Sequence, residues 1–184
     1  MAEETPDKEL LSQFRSEATR NQAFGLLVRK YQKRLYWHIR RIVIDHDDAD
    51  DVVQNTFIKV WKNLEGFKED SQLYTWLYRI ATNESLTFLR QKKADRNIPM
   101  DEVDHTLADP IISGNHFNGD EIQKKLQQAI LTLPDKQRIV FNMKYFDEMK
   151  YEEMSQVLET SVGALKASYH HAVKKIEEYL TGER

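Results

Sequence analysis

Apolar residues recur at spacings of three and four along most of this chain, the period of one face of an α-helix. The longest run is Asn21–Ile44, where Phe24, Leu27, Val28, Tyr31, Leu35, Ile39 and Ile42 form one stripe. Leu10, Leu11 and Phe14 predict a shorter helix within residues 7–20. A third helix is predicted over Asp48–Leu64, with Val53, Phe57, Val60, Trp61 and Leu64 inward. Gly66 ends it, and Asp70 or Ser71 can cap the next, which runs to about Lys93. That helix turns Leu73, Leu77, Ile80, Ala81 and Phe88 to its core. The alternation of period two that strands need is scarce, so the pattern predicts an all-α protein.

The same period returns near the C-terminus. Ile122, Leu126, Ala129, Ile130 and Leu133 predict one helix, stopped at Leu133-Pro134. Pro134 then opens another that carries Ile139, Val140, Met143 and Phe146. Two further helices follow, joined by a tight turn. Tyr151–Leu158 has Met154, Val157 and Leu158 as its stripe, and Glu159-Thr160-Ser161 forms the turn, with Ser161 able to cap. Leu165, Tyr169, Ala172, Ile176 and Leu180 form the apolar face of the last helix. Its other face offers Ala164, Lys166, Ala167, Ser168, His170, His171, Lys174 and Lys175. A short helix, a tight turn and a longer helix with a small, basic face is the pattern of a helix-turn-helix DNA reader. A plain helical hairpin would show the same stripe.

Between the two periodic halves the character changes. Residues 97–121 contain Pro99, Pro110, Gly114 and Gly119, six acidic residues and no Lys or Arg. This predicts an extended acidic linker between two small helical domains. The boundaries expected are an N-terminal extension over 1–20, a first domain over 21–96, the linker over 97–119 and a second domain over 120–184.

Charge and composition narrow the chemistry. The net charge is −3, so any contact with nucleic acid comes from local basic patches or with a partner's help. The absence of cysteine excludes disulfides, zinc ribbons and thiol nucleophiles. No window approaches the length of apolar residues that crosses a membrane, and the first residues lack a signal-peptide pattern; a cytoplasmic protein is expected.

Two clusters carry candidate chemistry. Asp45, Asp47, Asp48, Asp50 and Asp51 could suggest a metal, but the glycine and terminal glutamate of an EF-hand loop are missing. Capping of a helix start explains them better, so no metal or cofactor is expected. The helix behind them sets Asp51, Gln54, Asn55, Ile58 and Lys62 on a second face, where Ile58 among polar neighbours suggests a partner surface. Farther on, Tyr74, Trp76, Tyr78, Arg79, Asn83, Arg90, Lys92 and Lys93 exceed what one core can bury. Between positions 79 and 96 five basic residues face two acidic ones. Aromatic rings among cations suit unpaired bases, which stack while the cations hold phosphates.

Together DADDVVQNTFIKVWKNLEGF, TWLYRIATNESLTFLR and LPDKQRIVFNMKYFDEMKYEEMSQVLETSVGALKASYHHAVKKI resemble the extracytoplasmic-function (ECF) sigma factors of bacterial RNA polymerase. The resemblance covers most of residues 21–180. It implies a non-enzymatic initiation subunit that binds core RNA polymerase and promoter DNA. The β′ clamp helices would be bound through Asp51, Gln54, Asn55 and Ile58, and the second domain would meet the β flap. Phe67, Lys68, Ser71, Tyr74, Trp76, Arg79 and Asn83 would hold the minus-ten element as a melted strand. Ser161, Ala164, Lys166, Ala167, Ser168, His170, His171 and Lys175 would serve the minus-thirty-five element. The linker would thread toward the polymerase active centre. Control by an anti-sigma factor, in the family often membrane-bound, is also implied.

The chain departs from the family pattern where many members carry arginine and it has Ser168, His171 and Val173. It also lacks the glycine common in the turn. Fewer cations predict weaker backbone attraction by the second domain and more reliance on the polymerase. His170 and His171 point about 100° apart on a helix, which disfavours a shared metal ion. Two other functions stand against the leading one. A stand-alone helix-turn-helix regulator of duplex operators fits poorly with the net acidity and the segment Phe67–Arg96. A metal-dependent nuclease lacks a second carboxylate motif.

Overall fold

The structure is a computed structural model and describes residues 5–95 and 121–182. All secondary structure among these residues is helical. The helices are α1 (Asp7–Arg15), α2 (Arg20–Val43), α3 (His46–Asn63), α4 (Leu73–Asp95), α5 (Glu121–Leu131), α6 (Asp135–Tyr145), α7 (Tyr151–Leu158) and α8 (Val162–Thr181). A single turn of 3₁₀ helix, Leu64–Gly66, continues α3. The expected linker, 97–119, lies outside the described residues.

In the N-terminal half α2 is the central element. Its stripe of Leu27, Tyr31, Leu35, Ile39 and Ile42 is buried, with α1, α3 and α4 packed around it. The segment expected as an extension belongs to this core: Leu10, Leu11 and Phe14 of α1 are buried. On α3 the inward face is Ala49, Val52, Thr56, Phe57 and Val60. Trp61, expected inward, is instead 37% exposed and packs edge-on against Phe14 and Phe24 at 5.3 and 4.9 Å. It roofs the seam between α1 and α2, so its large ring lies at the rim of the core. Asp45 caps α3, its carboxylate accepting from the amides of Asp47 and Asp48 at 2.9 and 3.1 Å. Asp45 is thus the helix cap of the aspartate cluster, while Asp48 pairs with Lys92 and Asp50 with His46.

In the C-terminal half Ala129, Ile130, Leu133, Phe141, Ala172 and Ile176 form a small core of α5, α6 and α8. Ile122 and Leu180, expected on apolar faces, are exposed at 69% and 42%. Ile122 is in the first turn of α5 and Leu180 in the last of α8, where each helix has run past the other's packing surface. The helix-turn-helix is present at the expected residues. Ser161 accepts from the Ala164 amide at 3.3 Å as the cap of α8, and Glu159 closes α7 at φ 51°. Left-handed backbone of that kind favours glycine, the residue absent from this turn.

The two halves share one core. Ile139, Val140, Met143, Met154, Val157 and Leu165 are continuous with the buried residues of α1–α4. α7 lies on α4 and α6 lies on α2. Polar groups cross the seam as well. His38, 1% exposed, is 2.8 Å from Asp147 through Nδ1 and 2.9 Å from the Thr82 hydroxyl through Nε2. Arg41 donates to the other Asp147 oxygen at 3.0 Å. Arg138 and Asn142 donate to the backbone oxygens of Ile42 and Arg41, both at 3.4 Å, and Lys93 meets Asp135 at 2.9 Å.

Two outcomes are expected from this packing. Leu35, fully buried at the centre of α2, should cost about 2–5 kcal/mol of stability when replaced by alanine, measured by urea unfolding. Asp45→Ala should cost about 0.5–2 kcal/mol at neutral pH. The Asp48 amide first, then the Asp47 amide and the nearby Lys92 and Arg40, hold this carboxyl below its usual 3.8. A carboxyl lowered in the folded state stabilises above its ordinary value, and the benefit vanishes as pH falls through the lowered one. The gap between wild type and variant should therefore be constant from neutral pH to about 5 and close below about 4.

Candidate nucleic-acid interface

The loop between the 3₁₀ turn and α4 is built by short-range geometry and one long tether. The Phe67 amide donates to the Leu64 carbonyl at 3.2 Å, and Glu69 takes a left-handed φ of 60°. Arg15 of α1 then donates to the Phe67 carbonyl at 3.5 Å and to the Glu69 carboxylate at 2.9 Å. Nothing local in the sequence pairs positions fifty residues apart, so Arg15 was not legible as a loop anchor.

Five of the residues expected at the minus-ten strand line one cavity of about 570 Å³: Phe67, Lys68, Ser71, Trp76 and Arg79. Phe67 is buried, its ring 5.0 Å from that of Trp76. Trp76 is half-buried, with its remaining surface on the cavity. Tyr74 and Asn83 do not line this space. Tyr74 stands edge-on to Tyr78 at 6.2 Å. Burial and then a hydrogen bond to Glu153 push its hydroxyl up to about 12, so it is a neutral hydrogen-bonding group at physiological pH. Asn83 is exposed one helical turn beyond Arg79 on the same side of α4. Tyr78, expected in excess of the core, is buried at 2% beneath α2.

The far wall of the cavity comes from α7, through Ser155, Gln156 and Glu159. Glu159, at the strained end of that helix, forms an ion pair with Arg79. The helix-turn-helix therefore closes over the loop in this arrangement. The sequence contains both partners but nothing that joins positions 79 and 159.

The other two groups of candidates are arranged on open faces. Asp51, Gln54, Asn55 and Ile58 are all exposed on one side of α3, and Ile58 is 52% exposed. That is a contiguous polar surface with one aliphatic centre, away from α7. On α8, Ala164, Lys166, Ala167, His170, His171 and Lys175 are exposed, whereas Ser168 is half-buried and Ser161 is engaged as the cap. Lys166 rests over the Tyr151 ring at 5.7 Å. Small side chains at 164 and 167 leave room for a groove edge to approach, which suits a helix laid in the major groove. Among the described residues no group of three His, Cys, Asp or Glu could hold a metal ion, and no helix is long and apolar enough to cross a membrane.

Comparison with known proteins accords with this layout. Residues 27–94 match the model of sigma-70 region 2, and residues 123–176 match that of sigma-70 region 4. The chain is 33% identical over 166 residues to the RNA polymerase sigma-H factor of Pseudomonas aeruginosa, covering 86% of each chain. It is 30% identical to the ECF RNA polymerase sigma factor SigW of Bacillus subtilis, covering 86% of this chain and 89% of the relative. With the ECF RNA polymerase sigma-E factor of Escherichia coli it shares 30% over 187 residues, 96% of this chain and 95% of the relative. Among solved structures, CnrH in complex with the cytosolic domain of CnrY superposes with a TM-score of 0.70 at 26% identity, over 97% of this chain and 99% of that one. The sigma factor RpoE of Bartonella quintana, solved with the anti-sigma factor NepR, has the same TM-score at 21% identity over 88% of this chain and 98% of its own, a likeness of fold. With both halves matched in order and relatives covered nearly end to end, the chain belongs to the sigma-70 family, as an ECF sigma factor that directs promoter-specific transcription initiation by RNA polymerase.

Proposed function

We propose that the N-terminal unit, residues 21–96, grips core polymerase and the melted minus-ten strand, and that the C-terminal unit, residues 120–184, reads the minus-thirty-five duplex. The observation that carries this reading is the gathering of Phe67, Lys68, Ser71, Trp76 and Arg79 around a single cavity beside an aromatic platform. Extruding a base costs a few kcal/mol, and stacking on a ring returns roughly 1–3 kcal/mol per base. Lys68 and Arg79 are placed to hold the flanking phosphates, and Ser71 to donate to a base edge. Tyr74 and Asn83 extend the same track along α4.

The exposed face Asp51, Gln54, Asn55 and Ile58 serves as the contact with the β′ clamp helices. Ile58 supplies the apolar centre of that contact and the amides its hydrogen bonds. In the second unit α8 enters the major groove through Ala164, Lys166, Ala167, His170 and His171, with Ser161, Ser168 and Lys175 toward the backbone. With so few cations on α8, its grip relies on the polymerase, including the β flap. The protein acts in the cytoplasm, where its polymerase is, and supplies no catalytic group. An anti-sigma factor is a further partner, in line with the relatives solved with CnrY and NepR.

The roles separate by substitution in purified transcription assays. Gln54→Ala should weaken binding to core enzyme severalfold and leave capture of a labelled minus-ten single strand by pre-formed holoenzyme unchanged. Trp76→Ala should do the reverse, sparing core binding and lowering strand capture by about 5- to 100-fold. Potassium permanganate footprinting of the melted region reads the second effect directly, and the opposite pattern would overturn both assignments.

A further inference from the structure

α2 carries Arg20, Arg29, Lys30, Lys33, Arg34, Arg40 and Arg41 and no carboxylate, in a chain of net charge −3. Arg20 pairs with Glu65 and Lys30 with Asp7, both within the N-terminal half. Lys33, Trp37 and Arg41 follow each other at intervals of four and make one stripe, about 12 Å long on the helix axis. Arg34 stands beside it and lines the same small cavity as Tyr78 of α4. Trp37 is 48% exposed in the middle of these cations, its ring edge-on to Tyr36 at 5.3 Å. An exposed indole flanked by cations costs hydrophobic stabilisation, and neither the core nor the α3 surface uses it.

What faces this stripe is informative. The turn after α6 brings Phe146, Asp147 and Glu148 against it, enclosing about 260 Å³ with Lys33, Arg34, Trp37 and Arg41. The Arg41 guanidinium lies 4.4 Å from the centre of the Phe146 ring and donates to Asp147 at 3.0 Å. A ring and an anion presented together to an arginine have the chemistry of a base and its phosphate. The turn is held there with Glu148 at a left-handed φ of 53°. Carboxylates of the C-terminal half sit on other cations of the N-terminal half in the same way, Glu159 on Arg79 and Asp135 on Lys93.

We propose that the Lys33–Trp37–Arg41 stripe of α2 is a second site for single-stranded DNA, with Trp37 stacking one base, and that the Phe146–Glu148 turn is its internal competitor. This rests on the reading of the chain as the subunit that holds melted promoter DNA, and it extends the strand's track from Tyr74 and Arg79 of α4 across Arg34 to α2. A single strand is the occupant because Trp37 can meet the face of a base only where that base is unstacked, as it is not within a duplex.

The test is anisotropy of a short fluorescein-labelled oligothymidine, and of a duplex of equal length, titrated with the full-length protein at several salt concentrations. Trp37→Ala should weaken single-strand binding by about 5- to 100-fold and leave duplex binding unchanged. Lys33→Glu should weaken it and lower the salt slope by about one or more. Asp147→Asn, which frees Arg41, should tighten it severalfold. The circular dichroism of Lys33→Glu and Trp37→Ala should match wild type, since both residues are exposed. Wild-type single-strand affinity in both Trp37→Ala and Lys33→Glu overturns the site, and unchanged or weaker binding in Asp147→Asn overturns the competitor. Trp76→Ala run in parallel separates the two readings. Loss there with no loss in Trp37→Ala and Lys33→Glu removes the α2 site alone, whereas no loss in any of the three removes the minus-ten assignment too.

Discussion

The closed arrangement of this molecule depends on the Asp147 carboxylate, which the turn after α6 delivers into the N-terminal half. It is 5% exposed and meets the buried His38 ring with one oxygen and Arg41 with the other. Taking ionised groups out of water costs several kcal/mol each, so such a node persists only if every lone pair finds a partner. Here His38 is satisfied on its second nitrogen by the Thr82 hydroxyl, which in turn donates to the Tyr78 carbonyl at 2.7 Å. The apolar residues around the node, from Ile42 on α2 to Val140 and Met143 on α6, exclude water and strengthen these contacts.

The same seam also carries its own weakness. The guanidinium of Arg138 is 4% exposed, and burial lowers its pKa, with Asp135 opposing the shift. Its Nε and the side-chain oxygen of Asn142, both on α6, have no hydrogen-bond partner. Unpaired buried polar atoms cost about 1–3 kcal/mol each, a penalty refunded when the helix is exposed. Apolar packing thus favours closure and polar mismatch favours opening. In the closed form α7 lies over the cavity of Phe67 and Trp76, while the face of Gln54 and Ile58 stays open.

Helix positions, caps and stripes were legible because they are local. The residues of a stripe are three or four apart, and Asp45 and Ser161 cap amides two or three residues away. The face of α3 was equally legible, since residues outside the apolar period of a helix are turned away from its core. Apart from Tyr78, buried in the interior of α4, errors fell where a residue sits at the end or rim of an element. Trp61 roofs the α1–α2 seam, and Ile122 and Leu180 outrun their neighbours. Periodicity says which side of a helix is apolar and is silent on where the neighbouring helix stops.

By itself the sequence determined an all-helical chain, its helix-turn-helix, its three family motifs in order and the polar face of α3. Those follow from short-range periodicity and residue chemistry. Only the tertiary structure decided that residues 7–15 complete the first core, that Arg15 tethers the loop before α4, and that the two halves close on one another. It also decided that Glu159 meets Arg79 and that Asp147 meets His38 and Arg41. Each of these joins residues at least fifty positions apart or reflects how two surfaces fit. Such pairings are selected by the packing of whole helices, and no local pattern in the chain encodes which carboxylate will reach which cation.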